Sequence, residues 1–566
     1  MEIKLILITL ISLIALSGKA ETYYISNSLG NDSNSGTITS LPWKTINKVN
    51  AFTLSAGDSI LFKRNDIWRG QLIPQSGILG ANIYYGAYSS GTNPTILGSL
   101  NYNNLSDWTN SGGNIWKCNS TFITDIGNII FDNASSVGFK KWSLTDLQNQ
   151  DEFWYNLSSN ELSIYSTLNP TSIHSEIELA LRKDIINQQN TSYVTYENIS
   201  IKYGGAHGFG GGNTSNITIK SCEISYIGGG DLNMDGTIRY GNGVEFWGNA
   251  SNNIVEKCKV WEIYDTGLTN QNHTTTVTQE NIKYQNNVIW NCGLSSFEYW
   301  SRPSASTTSK IYFENNTCLN AGYGWGVQRP DYHGIHILFD SNPAQTDTVF
   351  IKNNIFYNAK RSIYAVEDNI NGFIELDYNV IYQPSNSDTL FVSFPSFTVY
   401  EYSDFSIYKT AIQKDLNSLT GNPDFTNIAG NDFSLLSSSI AIDTGINLSI
   451  LDDFNGNSRL VNGVFDIGAY EYSNPLSINE IGFLNFFRIY PNPSSENFSI
   501  SFNQDKINNT INLYNTNGQK IISIKNYYSD HLISIEHLKN GTYLITLNDG
   551  SKNIYVGKII VQHLAE

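Results

Sequence analysis

Short blocks of alternating apolar residues recur along the middle of this chain and predict β-strands. Three blocks are nearly identical: Asn286–Cys292 reads NNVIWNC, Asn315–Ala321 reads NNTCLNA and Asn353–Ala359 reads NNIFYNA. Two earlier blocks, Ser221–Ile227 and Lys257–Ile263, fit the same frame with cysteine at the second position. The residues between the blocks show little helical periodicity, so we interpret the blocks as strands.

The second position of each block forms a column. Its members are Cys222, Cys258, Asn287, Asn316 and Asn354, at spacings of 36, 29, 29 and 38 residues. Self-similarity at such a period predicts a solenoid, in which each repeat buries its apolar face by stacking on the next. A recurring Asn would stack its amide on the Asn above and below it, as in other stacked in-register strands.

These features resemble the right-handed parallel β-helix of the pectate-lyase-like superfamily, over roughly residues 22–472. The resemblance implies an all-β solenoid whose longer coils carry loops that build one wall of a groove. It also implies activity on a polysaccharide. The PWKTINKVNAF segment resembles an N-terminal cap, with a helix beginning at Pro42 and Trp43, Ile46, Val49 and Phe52 on one face. The irregular stretch from about Leu100 to Ala180 is interpreted as an insertion or side sheet.

The two ends of the chain indicate export. Lys4, the apolar run Leu5–Leu16 and the small residues Gly18 and Ala20 are typical of a signal peptide over residues 1–20. Residues 487–566 read as short strands separated by Asn-Gly and Asp-Gly turns, which predicts a small β-sandwich. The phrases YPNPS and NGTYLITL resemble the C-terminal sorting domain of the type IX secretion system of Bacteroidetes, which implies that secretion machinery as a partner. A carbohydrate-binding module of the same shape is the alternative.

The predicted domains are therefore a signal peptide (1–20), a parallel β-helix with its cap (21–472), a linker (473–486) and the sorting domain (487–566). The helix is expected to close with Asp452–Tyr472, where Arg459 and Asp466 would be structural partners. No other run is long enough to span a membrane. A net charge of −17 argues against nucleic acid or an anionic membrane as partner. We expect a monomer.

Five cysteines is an odd number, so at least one thiol stays unpaired. Cys222 and Cys258 fall in the Asn column, where a small buried thiol can replace the amide. We interpret them as packing residues, and a disulfide remains the alternative.

Ionisable and aromatic residues that follow the blocks are the candidates for a sugar-polymer site. Titratable groups gathered on one side of a solenoid, among aromatic rings that can stack on sugars, are what such a site needs. The candidate catalytic residues are Asp265, His273, Glu298, Arg302 and His333. The candidate substrate-binding residues are Arg239, Glu245, Tyr299, Trp300, Trp325, Arg329 and Asp331.

Two mechanisms fit these residues. A lyase needs a base and a cation that neutralises a uronate carboxylate, and Arg302, His273 or His333 would be the base with Arg329 as the cation. A glycoside hydrolase needs two carboxylates, about 5 Å apart for retention or about 6.5–9.5 Å for inversion. Asp265 and Glu298 would form this pair, and Glu245 and Asp331 are the reserve carboxylates. The basic residues favour the lyase, acting on an acidic glycan.

Structural interpretations of the same residues stay open. Asp265 in YDTG can cap a turn, His207 can be a satisfied interior histidine, and Arg329 can pair with Asp331. Glu298 is the stronger functional candidate, because its aromatic neighbours would partly desolvate the carboxyl and help it hold a proton.

The segment DLNMDG matches the opening of a calcium loop, with oxygens at Asp231, Asn233 and Asp235. The twelfth position is Asn242 rather than Glu, so Glu245 would have to supply the missing carboxylate. An ordinary Asp/Asn/Gly turn is the alternative to a Ca²⁺ site. For the whole chain, the alternatives to a lyase are a hydrolase, a non-catalytic glycan binder or adhesin, and a uronate epimerase.

Overall fold

The computed structural model describes residues 20–273, 275–330, 333–339, 345–346, 348–368, 371–459, 463–472, 487–502, 510–548 and 554–563. They fall into two compact units, divided between Tyr472 and Ser473. In the first unit the chain winds through successive coils, and each coil stacks on the previous one by parallel pairing of its strands. The predicted fold class, an all-β parallel β-helix followed by a small β-sandwich, is confirmed.

Each complete coil contributes strands to three faces. The strands of the first face are Ile186–Asn187, Phe209–Gly210, Val244–Ser251, Thr266–Asn272, Ser295–Ser301, Ile335–Phe339, Ser362–Glu367 and Thr389–Phe394. Those of the second face are Thr22–Ile25, Ser59–Lys63, Ile83–Tyr88, Ser192–Glu197, Gly212–Lys220, Ile254–Glu256, Thr278–Gln285, Thr307–Glu314, Gln345–Thr346, Val349–Lys352 and Ile374–Asp377. Val244–Ser251 is long enough to join both faces, and the short strand Val399–Glu401 pairs antiparallel at the last edge.

The third face contains the repeated blocks. Its strands are Ile67–Arg69, Thr95–Leu97, Ser200–Gly204, Glu223–Ile227, Lys259–Ile263, Val288–Cys292, Thr317–Ala321, Ile355–Ala359, Val380–Tyr382 and Leu419–Thr420. Before each block the chain turns from the second face to the third. The first Asn of the block makes that turn with a positive φ, 57° at Asn286 and 53° at Asn315, a region that Asn tolerates better than most residues.

The second Asn of each block forms the predicted ladder inside the turn. The amide of Asn287 donates to Asn316 Oδ1 at 3.0 Å, and the amide of Asn316 donates to Asn354 Oδ1 at 3.1 Å. The same oxygens also accept the main-chain N–H of the ladder residue one coil earlier. Asn379 continues the ladder beyond the predicted column. Main-chain groups buried at the corner are thereby satisfied in coil after coil.

All five cysteines, which lie within the described part of the chain, are buried free thiols. Cys222 and Cys258 occupy the ladder column, so their interpretation as packing residues is confirmed. The interior around them is apolar, with Val, Ile, Leu and Phe side chains from all three faces in one cluster.

A cap covers the N-terminal end of this interior. The helix Ile46–Ala51 begins later than predicted, because Thr45 rather than Pro42 precedes it and accepts the N–H of Lys48 at 3.1 Å. Trp43 lies before the helix, yet it is buried in the same cluster as Ile46 and Val49. A second helix, Phe405–Ile412, packs on the interior at the other end.

The stretch between 99 and 181 is an insertion of two mainly antiparallel sheets, in which only Phe139–Lys140 pairs parallel with its neighbour, and it has its own apolar core. Its strands are Ser99–Asn101, Trp108–Asn110, Ile115–Thr121, Ile126–Phe131, Ser136–Val137, Phe139–Lys140, Glu152–Asn156, Glu161–Tyr165 and Ile177–Leu181, and it includes the short helix Pro170–Ile173. It lies between a third-face strand and a first-face strand, so it is one very long turn of the solenoid.

The segment Asp452–Tyr472, expected from the sequence to close the β-helix, is placed differently from the prediction. The last third-face strand ends at Thr420, and the following segment, with strands Phe425–Asn427 and Asp432–Leu435, folds back over the outside of the third face. Arg459 is fully buried, and its carboxylate partner is Glu471 at 3.0 Å. Asp466 is also a partner of Arg459, as expected: its main-chain oxygen accepts from Nη1 at 3.4 Å, and its carboxylate, which accepts the N–H groups of Asp443 and Tyr472, lies close enough for its charge to act on the guanidinium.

The second unit contains two antiparallel sheets around one apolar core, as predicted for a sandwich. Its strands are Phe487–Tyr490, Asn497–Phe502, Thr510–Tyr514, Lys520–Lys525, Leu532–Ser534, Gly541–Asn548 and Ile554–Val561. Within the described ranges of the chain, no helix combines the length and apolarity needed to cross a membrane.

Candidate active site

Connecting segments of very different length flank the first face, which we call the floor of the candidate groove. On the edge next to the third face, residues 228–243 form a long connection and residues 322–330 belong to another, whereas residues 264–265 and 293–294 are two-residue turns between them. On the opposite edge, residues 302–306 connect the first face to the second. The loop that contains Trp325 packs against these short turns: the Trp325 ring lies 5.2 Å from that of Tyr264, and the Trp325 main-chain N–H donates to Glu262 Oε2 at 2.8 Å.

Two carboxylates lie on this floor in a single row. Glu245 pairs with Thr269 on the next strand, and Thr269 pairs with Glu298 on the strand after that. Neighbouring strands are about 4.8 Å apart, so the backbones of the two glutamates are about 9.6 Å apart. The adjacent residues Phe246 and Tyr299 belong to the interior cluster, so the glutamate side chains point outward.

Glu298 is held by donors from the middle strand. Its Oε2 accepts from Gln271 Nε2 at 2.7 Å and from Thr266 Oγ1 at 3.2 Å. The residue is only 5% exposed. These donors hold the carboxyl group of Glu298 in one orientation on the floor.

Glu245 has a different environment. Its Oε2 accepts from Asn242 Nδ2 at 2.7 Å, and its Oε1 is 3.5 Å from His207 Nε2. Burial raises the pKa of Glu245, and the negative charges of Asp184 and Asp265 raise it further against the opposing effects of His207 and Asn242. The environments of Glu245 and Glu298 therefore differ, as they must in an acid–base pair.

The sequence did not predict that Asn242 and His207 would meet at Glu245. They belong to successive coils, and Asn242 N donates to His207 Nδ1 at 3.0 Å. Asn242 Oδ1 also accepts the N–H of Thr266, which links the surroundings of both glutamates. The Gly-rich phrase GGAHGF is the one sequence signal that marked His207.

Asp265 and Arg329 form an ion pair, with Oδ1 and Nη1 at 2.9 Å. The guanidinium of Arg329 also lies 5.4 Å from the ring centre of Tyr264. This pair belongs to the wall next to the third face. Asp331, the partner considered from the sequence, lies outside the described residues.

On the opposite edge, His273 and Arg302 both contact Trp300. The rings of His273 and Trp300 are 4.9 Å apart, and the Arg302 guanidinium is 5.4 Å from the Trp300 ring. Trp300 is half-buried and points outward, in the same row as Gln271. The structure thus brings three of the predicted residues together in one cluster.

Tyr299 points the other way. It is 1% exposed and packs among interior aromatic rings such as Phe339, at 5.5 Å. The prediction that it stacks on a bound sugar is wrong, because alternation along the strand gives the outward positions to Glu298 and Trp300.

Arg239 and Trp325 are wall residues rather than floor residues. Arg239 is buried, and it donates to Gly229 O, to Gly127 O of the insertion and to Gln328 Oε1. Its guanidinium is 4.3 Å from the Tyr264 ring. Trp325 is 6% exposed and donates to Glu262 O at 2.7 Å. Their predicted contacts with substrate are replaced by contacts that hold the wall together.

His333 lies at the rim, where its Nε2 is 3.3 Å from Lys360 Nζ. His336, three residues later, is a buried interior histidine between Ser296 and Tyr357 O. Burial lowers the pKa of His336 to about 3, so it is neutral.

The DLNMDG segment forms a hairpin turn between the strands Gly230–Asp231 and Arg239–Tyr240. Asp231 Oδ2 accepts the N–H of Gly236 at 2.6 Å, and Asp235 Oδ1 accepts that of Thr237 at 3.1 Å. In the described part of the chain, no three His, Cys, Asp or Glu side chains are grouped as metal ligands. Calcium binding by Asp231, Asn233 and Asp235 stays a prediction.

Residues 488–562 match the family model of the secretion system C-terminal sorting domain. The second unit is a sorting domain. This confirms the resemblance noted for YPNPS and NGTYLITL, and it indicates export to the cell surface or beyond. No curated protein matches this chain.

The solved structures that are similar to this chain include three enzymes. Pectate lyase Pel9A shares 14% identity with a TM-score of 0.44, over 81% of this chain and 97% of its own. An alginate lyase from a Paenibacillus species shares 11% identity with a TM-score of 0.35, over 66% and 92%. An exopolygalacturonase from Thermotoga maritima shares 10% identity with a TM-score of 0.27, over 61% and 86%. No residue role is transferred from them.

Proposed function

We propose that this protein is an exported enzyme that hydrolyses a polysaccharide lying along the first-face groove, with Glu245 as general acid and Glu298 as general base. One observation carries this proposal: the two carboxyl groups share a row on the floor with one strand between them. Backbones about 9.6 Å apart are compatible with a carboxyl separation of about 6.5–9.5 Å, the range that suits inversion because water must fit beside the sugar.

In this proposal the protonated carboxyl of Glu245 gives its proton to the glycosidic oxygen as the bond to the anomeric carbon breaks. Glu298 takes a proton from a water molecule, whose oxygen bonds to the same carbon. One water is added across the bond for each cleavage. Burial supports the acid role of Glu245, and the donors Gln271 and Thr266 orient Glu298 for the basic role.

The test is the release of reducing ends from polygalacturonate and alginate by the full chain. We expect Glu245→Gln and Glu298→Gln each to lower kcat by at least about 100-fold, as loss of an acid or base does. Glu280→Gln is the matched control, because Glu280 is an exposed glutamate on the second face. Full activity in both floor variants would refute the proposal.

A lyase acting on an acidic glycan is the second candidate, and the His273–Trp300–Arg302 cluster favours it. One of the two residues Arg302 and His273 would remove the proton next to the uronate carboxylate. The other would carry the positive charge that neutralises this carboxylate. An ultraviolet-absorbing unsaturated product from the same polymers would select this candidate. Loss of that product in Arg302→Gln, with Glu245→Gln still active, would assign the base to this edge of the groove.

A further inference from the structure

Three successive coils meet beside Glu245. Asp184, His207 and Asn242 occupy equivalent positions before their first-face strands, as the pairing of Ile186 with Phe209 and of Phe209 with Val244 shows. The main-chain N–H of His207 donates to Asp184 Oδ1 at 3.2 Å. The histidine is therefore held from the coil before it and from the coil after it.

The hydrogen bonds of His207 define its tautomer. Its Nδ1 accepts the main-chain N–H of Asn242, so that nitrogen carries no proton. The proton of the neutral ring is then on Nε2, which is the nitrogen that faces Glu245 Oε1 at 3.5 Å. The ring of Tyr240 packs edge-on against the imidazole, with centroids 5.1 Å apart, and limits its rotation.

We propose that His207 is a positioning residue for Glu245: it presents a neutral Nε2–H to one carboxyl oxygen while Asn242 holds the other. This rests on the proposed function, in which Glu245 is the acid. Asn242 donates to Oε2 at 2.7 Å, and His207 Nε2 faces Oε1 at 3.5 Å, so the carboxyl is flanked by a polar nitrogen on each side. These two donors also oppose the burial that favours the protonated form, so that the group can release its proton within the working pH range.

The other titratable groups around Glu245 act in the opposite direction or not at all. Asp184 and Asp265 add negative charge from the preceding and following coils, and both raise the pKa of Glu245. Burial raises the pKa of the Tyr240 phenol to about 12, with a smaller contribution from the charge of Glu245, so Tyr240 stays neutral. His207 is thus the titratable neighbour that offers Glu245 a proton donor.

Two substitutions of His207 test the roles of its two ring nitrogens separately. In His207→Gln the terminal amide can reach the position of Nε2 and still donate to Glu245. In His207→Asn the side-chain oxygen can replace Nδ1 as acceptor for Asn242, but no donor reaches Glu245. A purely structural role would make the two variants equivalent, so their difference is the diagnostic quantity.

We expect His207→Asn to lower kcat on the active polymer by about 10- to 100-fold with little change in KM, and His207→Gln to stay within about fivefold of the parent. Loss of the donor raises the pKa of Glu245, so the basic limb of the pH–rate profile moves to higher pH by about one unit in His207→Asn. His537→Gln, an exposed histidine of the sorting domain, is the control. Equal loss in both His207 variants, or loss in neither, overturns the proposal.

Infrared spectroscopy of the full chain tests the same point without substrate. The carbonyl band of protonated Glu245 is the band that disappears in Glu245→Gln. In His207→Asn that band should persist to higher pH than in the parent, and in His207→Gln it should titrate as in the parent. An unshifted band in His207→Asn overturns the role of His207 even in an active enzyme. Activity that survives Glu245→Gln and Glu298→Gln refutes the proposed function instead.

Discussion

The guanidinium of Arg239 donates to the side-chain oxygen of Gln328, 3.1 Å away, across 89 residues of sequence. Gln328 in turn donates to Gly138 O of the insertion at 2.8 Å. These bonds join the hairpin at 228–243, the loop residues 322–330 and the insertion into one wall beside the groove. Arg239 is therefore buried close to the acidic floor because its guanidinium holds the parts of this wall together.

We expect Arg239→Met to destabilise the protein by about 2–4 kcal/mol, because three acceptors around a buried cation lose their donor. Denaturant unfolding of the full chain measures the change. Lys310→Met, at an exposed position, should stay within about 0.5 kcal/mol of the parent. An Arg239 variant as stable as the control would contradict the role of the wall.

Replacing Asn316 by Ala tests the ladder. The substitution removes the acceptor for the buried N–H of Asn287 and the donor to Asn354 and Tyr284 O, so we expect a loss of about 3 kcal/mol. Asn249→Ala removes an acceptor for the N–H of Thr278 at an exposed position, where water can replace it. The difference in unfolding free energy between the two variants measures how much more the buried hydrogen bonds of the ladder contribute than an exposed one. Equal losses would show that the ladder adds nothing.

Glu314 predicts a pH dependence of stability. Burial raises its pKa to about 7 in the folded state, against an ordinary 4.5. Because the folded state holds the proton more tightly, the associated stability is fully present below about pH 4.5 and is lost as the pH rises through about 7. The loss is at most about 3 kcal/mol. Glu314→Gln should lose less stability between pH 5 and pH 9 than the parent.

Glu280→Gln, at an exposed site, should reproduce the pH dependence of the parent and is the control for that comparison. Denaturation midpoints at the two pH values are sufficient. A Glu314→Gln profile that is parallel to the parent's would show that this carboxyl does not titrate as its burial implies.

Trp300 and Tyr299 form a matched pair for substrate binding. Trp300 points outward between His273 and Arg302, so Trp300→Ala should weaken binding of the polymer by about tenfold or more, the value of one stacked ring. Tyr299→Phe changes an interior ring and should leave binding unchanged. Affinity electrophoresis in polygalacturonate or alginate gels compares them. A larger effect at Tyr299 would reverse the assignment of the two sides of this strand.

Thiol titration tests whether the five cysteines are buried and unpaired. All five cysteines are buried and free, and burial raises the pKa of Cys258, Cys292 and Cys318, which suppresses the reactive thiolate. A thiol reagent should find none of the five in the native protein and all five after unfolding. Fewer than five in the denatured, unreduced chain would reveal a disulfide.

The sequence by itself determined the solenoid, the ladder column and the sorting sandwich. These features depend on local patterns: strand alternation, an Asn before and within each corner, and Gly-containing turns between short strands. The spacing of Asn287, Asn316 and Asn354 already specifies which strands stack, because each coil can bury its interior only against the next.

The tertiary structure decided which side chains meet. Turns of very different length precede the first-face strands, so counting residues did not reveal that His207, Asn242 and Glu245 converge or that Asp265 pairs with Arg329. Register across the coils is set by backbone pairing and interior packing rather than by loop length. For the same reason Arg239, which resembled a substrate ligand in the sequence, became part of the wall.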